Sequence, residues 1–185
     1  MLIPLRLSAQ TDEQLMQRAA RGSDRAFEEL YNRHARQLQG FFVRRLGNDA
    51  DLAADFMHDT FLRLYAAREK YHEGSNFRSW LYTIAYNLCK NHLRNQLEVV
   101  HEDKEVADSQ NIEVDIDEGI LHEALRDVLR TLPVPYAMLF SLHYEEELTI
   151  PQIAEITDLP EGTVKSRLHK AMNIIKQNLK QYENR

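Results

Sequence analysis

A chain of 185 residues is long enough for one ordinary domain or for two small helical ones. Its 43% hydrophobic content can build cores, while 6 Gly and 5 Pro, about half the usual share, leave few turn residues for a strand-rich fold. The single cysteine, Cys89, excludes an internal disulfide, no apolar run approaches the ~18 residues that span a bilayer, and the first ten residues, with Pro4 and Arg6, lack the continuous apolar core of a signal peptide. These features point to an all-α, cytoplasmic protein without direct membrane insertion.

The elements follow in chain order. Thr11 with Gln14 three residues on reads as a capping box for a short helix that Gly22 closes. Ser23 can cap a second helix, in which Phe27, Leu30, Tyr31, His34, Leu38, Phe41 and Phe42 recur at helical spacing until Gly47. A third helix after Asn48 carries Leu52, Phe56, Phe61, Leu64 and Tyr65 and runs out near Lys70. The polar loop Tyr71 to Asn76 follows, and Asn76 can cap a fourth helix from Phe77 to about Leu97.

The net charge of −6 is strongly segregated along the chain. From Glu98 to Glu118 nine acids stand against Lys104, which puts that segment at −8 and leaves the rest at +2. Without sustained periodicity and poor in aromatics, residues 98–118 read as an acidic flexible linker between a domain at 1–97 and another at 119–185. Two stretches hold no acid: Phe77 to Leu97, and Gly162 to Tyr182 with Lys165, Arg167, Lys170, Lys176 and Lys180. They are the candidate phosphate-facing segments.

Helical pattern resumes at Ile120 and ends before Pro133 and Pro135, and a further helix is predicted over about Tyr136 to Tyr144. Thr149 can then cap a short helix ending near Thr157, with Pro151 in its tolerant first turn. Asp158-Leu159-Pro160 makes a tight turn, and Glu161 opens a long helix with the apolar stripe Val164, Leu168, Met172, Ile175 and Leu179. Thr163, Ser166, His169, Lys170 and Asn173 fall on the other side, with Lys165 on the flank, groups suited to base edges and phosphates. Short helix, tight turn and acid-free second helix together make a helix-turn-helix, and its second helix is built as a recognition helix.

On the fourth helix Phe77, Trp80, Tyr82 and Tyr86 interleave with Arg78, Asn87, Lys90, Asn91 and Arg94. Trp80, Leu81, Ile84 and Leu88, at helical spacing, read as core with the cations as a wetted face. The sharper reading is that aromatic faces and amides hold unstacked bases while cations track a single strand, with Tyr71 to Asn76 as the pocket wall.

Four segments then carry a family resemblance in order and at the right spacing: Asp24 to Tyr31 (DRAFEELY), Ala54 to Tyr65 (ADFMHDTFLRLY), Phe77 to Leu88 (FRSWLYTIAYNL) and Glu161 to Leu168 (EGTVKSRL). Over nearly its full length the chain resembles bacterial extracytoplasmic-function (ECF) sigma factors of RNA polymerase, built from a promoter-melting domain and a minus-thirty-five-binding domain. The resemblance implies an alternative sigma factor that binds core RNA polymerase through the largest and second-largest subunits, directs it to promoter DNA, and is held by an anti-sigma factor that is often membrane-anchored. It implies that Asp55, His58, Asp59 and Arg63 on the third helix dock onto clamp helices of the largest subunit. It further implies that Tyr71, Asn76, Arg78, Trp80, Asn87, Lys90, Asn91 and Arg94 capture the melted minus-ten element, and that Thr163, Lys165, Ser166, Arg167, His169 and Lys170 read the minus-thirty-five element. His58 stands where that family commonly has glutamine, Tyr86 where arginine is common, and Asp158 where the turn often has glycine. Aspartate tolerates the left-handed region better than most residues, so the turn is expected to form.

Two rival classes share some of these features. Asp55, His58 and Asp59 resemble part of a metal site, but no second ligand pair at metal spacing and no glycine-rich phosphate loop accompany them, so no catalysis, cofactor or metal is expected. A helix-turn-helix regulator acting without polymerase docking would need a sensing or phosphoacceptor domain, and residues 1–97 show no strand pattern. Cys89, one thiol on a largely apolar helix, reads as packing.

Overall fold

The computed structural model describes residues 7–97, 128–129 and 131–183. All regular structure among them is helical: α1 (Asp12–Ala20), α2 (Asp24–Arg45), α3 (Ala50–Ala66), α4 (Phe77–Leu97), α5 (Val134–Phe140), α6 (Ile150–Thr157) and α7 (Glu161–Glu183). The chain divides into two compact units, Met1–His92 and Leu93–Arg185. The acidic segment 98–118 and the helical pattern expected from Ile120 to residue 127 lie outside the described residues.

In the first unit the helix starts follow from side chains that satisfy otherwise orphaned N–H groups. Thr11 and Gln14 form the reciprocal capping box of α1. Ser23 caps α2, Asp49 accepts the Leu52 N–H at 2.9 Å to open α3, and Asn76 Oδ1 accepts the Ser79 N–H at 2.8 Å to open α4. Gly22 (φ 93°) and Gly47 (φ 69°) make the turns that end α1 and α2, a region of φ that a side chain disfavours. α3 stops at Ala66, and a single tight turn, Arg68–Lys70, completes the approach to the loop.

The core of this unit is the inner side of α2 (Ala26, Leu30, Leu38, Phe41, Phe42) packed on α1 (Leu15, Met16, Ala19), α3 (Ala53, Met57, Phe61, Leu64) and α4 (Phe77, Leu81, Tyr82, Ala85, Cys89). Edge-to-face rings join the layers: Phe41 to Tyr82 at 5.6 Å, Phe42 to Phe56 at 5.5 Å and Phe56 to His92 at 5.3 Å. Phe27 and Tyr31, expected in the core, are half-buried and cover Phe61 from the rim. Cys89 is fully buried, which pushes its thiol up to about 12 and keeps it protonated.

The second unit has its own core of Val128, Leu132, Ala137, Phe140, Ala171 and Ile175. The helix predicted over Tyr136 to Tyr144 is two structures. An α-helix with Pro133 at its cap and Pro135 in its first turn ends at Phe140, and a π-helical turn continues over Ser141–Glu145. The wider turn closes with Glu146 N–H on Ser141 O at 2.9 Å, and Glu147 then takes φ 53°. In α6, Gln152 Oε1 accepts both the N–H and the hydroxyl of Thr149 at 2.9 Å. Asp158 adopts φ 56° and ψ 40°, so the aspartate makes the left-handed turn unaided by glycine.

Candidate nucleic-acid interface

From the cap residue Asn76 along α4, Trp80, Thr83, Asn87, Lys90, Asn91 and Arg94 recur at helical spacing, so at about 100° per residue they fall on one side of the helix. Asn76, Asn87, Lys90, Asn91 and Arg94 are exposed, and Trp80 and Thr83 are half-buried. Phe77, Leu81, Tyr82, Ala85 and Cys89 form the buried side opposite. The expectation that Trp80, Ile84 and Leu88 are core holds for none of them fully; all three are half-buried, and the closed positions are those nearer α2. Thr83, between Tyr82 and Ile84, also falls on this polar stripe, with its hydroxyl donating to Ser79 O at 2.8 Å.

Phe77 and Tyr82 are fully enclosed and leave no face for a base. Arg78 does not join the stripe: it lies on the flank of the buried side, with its guanidinium carbon 5.9 Å from the Tyr82 ring centre. Tyr71 is buried, its hydroxyl donates to Ser75 O at 2.5 Å, and its ring stacks on Trp80 at 5.4 Å. Burial first, then the Glu13 and Asp12 carboxylates, push the Tyr71 phenol up to about 12. Tyr71 thus supports Trp80 from behind, which leaves Trp80 as the aromatic on the outer side. Lys90 Nζ lies 6.0 Å from the ring centre of Tyr86, a half-buried neighbour of the stripe.

The outer side of α3 presents Asp55, His58, Asp59 and Arg63. Arg63 Nε donates to Asp59 at 3.0 and 3.1 Å, and this partner raises the Arg63 pKa. His58 is exposed and lies parallel to Tyr31, with 6.4 Å between ring centres. Leu62 stands among these charges with 68% of its surface in solvent. It shares the helix side of Asp55, His58 and Asp59, four and three residues away from His58 and Asp59.

On α7 the buried stripe is Val164, Leu168, Ala171 and Ile175, with Met172 and Leu179 partly buried. Ala171 replaces Met172 at the centre, which turns the helix slightly from the expected register. Lys165, Ser166, His169 and Lys170 are exposed on the other side, and Thr163 is half-buried beside them. Arg167 is half-buried on the flank towards the core and does not stand with that group. Lys165 lies 3.8 Å from Glu161, and Ser166 Oγ donates to Thr163 O at 3.0 Å. Among the described residues no three His, Cys, Asp or Glu side chains are grouped to hold a metal ion, and no helix is long and apolar enough to cross a membrane.

These helices match known families. Residues 30–97 match Sigma-70 region 2, and residues 122–174 match Sigma-70, region 4. The chain is 31% identical to the ECF RNA polymerase sigma-E factor of Haemophilus influenzae, covering 89% of this chain and 93% of that one. It is 32% identical to the RNA polymerase sigma-H factor of Pseudomonas aeruginosa, covering 91% and 94%. In fold it is similar to CnrH, solved in complex with the cytosolic domain of CnrY (TM-score 0.69, 22% identity, covering 92% of this chain and 97% of that one). It is also similar to the sigma factor RpoE of Bartonella quintana, solved with the anti-sigma factor NepR (TM-score 0.64, 23% identity, covering 83% and 96%). With both sigma regions present in order and relatives of this identity matched over about nine-tenths of the chain, the chain belongs to the extracytoplasmic-function sigma factors, the alternative initiation factors of bacterial RNA polymerase.

Proposed function

We propose that the three exposed helix sides divide the work of promoter opening. The outer side of α3 docks on the largest polymerase subunit through Asp55, His58, Asp59 and Arg63, with Leu62 as its apolar centre. The stripe Asn76, Trp80, Asn87, Lys90, Asn91 and Arg94, with Thr83, receives the melted non-template strand of the minus-ten element. Lys165, Ser166, His169 and Lys170, helped by Thr163, enter the major groove at the minus-thirty-five element. Tyr71, Arg78 and Arg167 act from the sides of these surfaces, as supports for the residues in contact.

The carrying observation is the α4 stripe: amides and cations without an acid, beside one outward aromatic with a buried ring beneath it. That composition suits a single strand, because stacking accepts any base and cations follow the phosphates. A duplex would offer no unstacked face to Trp80.

The chain is proposed to work in the cytoplasm, on core polymerase and promoter DNA, and to be held by an anti-sigma partner, since NepR binds the similar RpoE. The acidic segment 98–118, at −8, repels phosphate in the free protein. Purified chain should co-elute with core polymerase and start transcripts at defined promoters, and permanganate should report unpaired thymines at the minus-ten element. Asn87→Ala and Lys90→Ala should lower strand opening without lowering co-elution. Wild-type opening in both variants would sink the assignment of α4.

A further inference from the structure

The region 2 match begins at residue 30, yet the first turn of α4 is held from outside it, by α1. Phe77 is the first residue of α4, and its N–H has no partner within the helix. Glu13 Oε1 accepts that N–H at 3.4 Å, across 64 residues of sequence. The Phe77 ring, fully buried, lies 5.2 Å from the ring of His34 on α2. His34 Nε2 is in turn 2.7 Å from Asp12 Oδ2, beside Glu13 on α1.

Arg33, the neighbour of His34, fixes this end of α1 in place. Its Nη1 donates to Asp12 Oδ1 at 3.0 Å and to Gln10 O at 2.9 Å, its Nη2 to Leu7 O at 3.2 Å, and its Nε to Glu29 at 2.9 Å. Every guanidinium nitrogen is engaged, and the segment before α1 is bound along with its first turn. α1 also packs against the Arg68–Lys70 turn that leads into the loop.

The loop from Tyr71 to Asn76 needs such a brace. Its own anchors are the Tyr71 hydroxyl on Ser75, the Ser75 N–H on His72 O at 3.1 Å and the Asn76 cap, and the turn passes through Gly74 at φ 88°, so all of them lie within the loop and its own helix. Asn76 and Trp80, at the start of the stripe, stand one residue before and three after Phe77. A displacement of Phe77 therefore moves both, and a stacking surface works only when held within about 0.5 Å of its productive place.

Resting on the reading that the α4 stripe holds a melted strand, we infer that Glu13, with Asp12 and His34 behind it, is a positioning residue of that site, so that α1 is a working part of the promoter-melting unit although it touches no DNA. Glu13 acts on the α4 start directly through the Phe77 N–H, and Asp12 acts through the ring of His34.

The test uses holoenzyme reconstituted from the full chain and core polymerase. The ligand is a fluorescent single-stranded oligonucleotide carrying the non-template minus-ten segment of a promoter that this holoenzyme transcribes in vitro. Glu13→Ala should weaken oligonucleotide binding about tenfold, whereas Glu13→Gln, which keeps an acceptor for Phe77, should stay within about twofold of wild type. Affinity for core polymerase should be unchanged in both. Asp12→Asn, which leaves α1 and its Glu13 in place, should weaken the oligonucleotide by about threefold and carries the test if Glu13→Ala does not fold. Wild-type binding by Glu13→Ala and Asp12→Asn, while Asn87→Ala and Lys90→Ala bind weakly, would overturn the brace alone. Equal losses in Glu13→Ala and Glu13→Gln would overturn it too, since the acceptor would then not be the cause. Undiminished binding by Asn87→Ala and Lys90→Ala would overturn the strand-binding reading and this inference together.

Discussion

The ring of Trp80 lies 5.4 Å from the ring of Tyr71 at an interplanar angle of 25°, with Tyr71 buried and Trp80 half in solvent. Since Trp80 is the one tryptophan in the chain, its emission reports this pair. Tyr71→Leu should shift the emission to the red, increase quenching by acrylamide and cost about 1 kcal/mol. Tyr71→Phe keeps the stack and loses only the bond to Ser75, so emission should hold while stability falls by about 1 kcal/mol. The phenol is raised from 10.0 to about 12, so the folded state favours the protonated form. That contribution is complete below pH 10 and fades as the pH rises through about 12. An unmoved spectrum in Tyr71→Leu would show that no stack exists.

Leu62 and the Asp59–Arg63 pair lie on one exposed surface, and they predict a separation of binding from stability. Leu62 is 68% exposed, so Leu62→Ala removes little buried area and should leave thermal unfolding nearly unchanged. The Asp59–Arg63 pair, with side chains 44% and 60% exposed, is an i,i+4 contact worth about 0.3–0.5 kcal/mol to the helix. Both Leu62→Ala and Asp59→Ala should nevertheless weaken co-elution with core polymerase about tenfold, because the apolar centre of an interface carries most of its energy. Retention of full affinity in Leu62→Ala would remove α3 from the docking surface.

The helices of the first unit were legible because their ends carry local chemistry: Thr11 with Gln14, Ser23, Asn76 and the glycines at 22 and 47 act on their own neighbours. Orientation was less so. Trp80 and Tyr82 stand two residues apart in the same aromatic-cationic pattern, and only the packing of Tyr82 on Phe41 decides which one is enclosed. Arg78 and Arg167 look like phosphate contacts by charge alone, whereas their places on the helix turn them towards the core side. Leu62 is absent from the apolar positions read for the third helix, and only its 68% exposure among the charges marks it as a surface residue. The π-helical turn at Ser141–Glu145 has no counterpart in the 3.6-residue pattern used to predict Tyr136 to Tyr144. The brace by Glu13 joins residues 64 apart, a distance that no motif spans.

Asp12 gives the first unit a specific weakness to acid. The hydrogen bond from His34, with the charge of His34 and the contacts of Arg33, holds the Asp12 carboxyl below its ordinary 3.8 against the opposing effect of burial. A depressed folded value means that the unfolded chain takes up the proton first, so the stabilisation is present above pH 3.8 and is lost as the pH falls through the folded value. Denaturant midpoints of the wild type should therefore drop below pH 4, while Asp12→Asn should start roughly 1 kcal/mol lower at pH 7 and lose less on acidification. Parallel pH curves for the two proteins would show that Asp12 does not contribute in this way.

On α7 the exposed Lys165 and Lys170 differ in what surrounds them. Lys165 has Glu161 at 3.8 Å, one turn earlier, whereas no acid occurs from Gly162 to Tyr182, so Lys170 has none within a turn on either side. Lys170 is therefore expected to be a plain phosphate contact, whose loss removes one displaced counterion. Holoenzyme carrying Lys170→Ala should bind a minus-thirty-five duplex more weakly, with the slope of log affinity against log salt reduced by about 0.9. Glu161→Gln releases Lys165 and removes a negative charge from the first turn of α7, so binding should rise about threefold at low salt and converge with wild type as screening shortens the Debye length to roughly 3 Å at 1 M. The same change takes a favourable charge from the first turn of α7 and should cost about 0.5 kcal/mol in stability. A weaker Lys170→Ala complex with an unaltered salt slope would mean that Lys170 touches a base edge, and the docking of α7 in the groove would have to be turned accordingly.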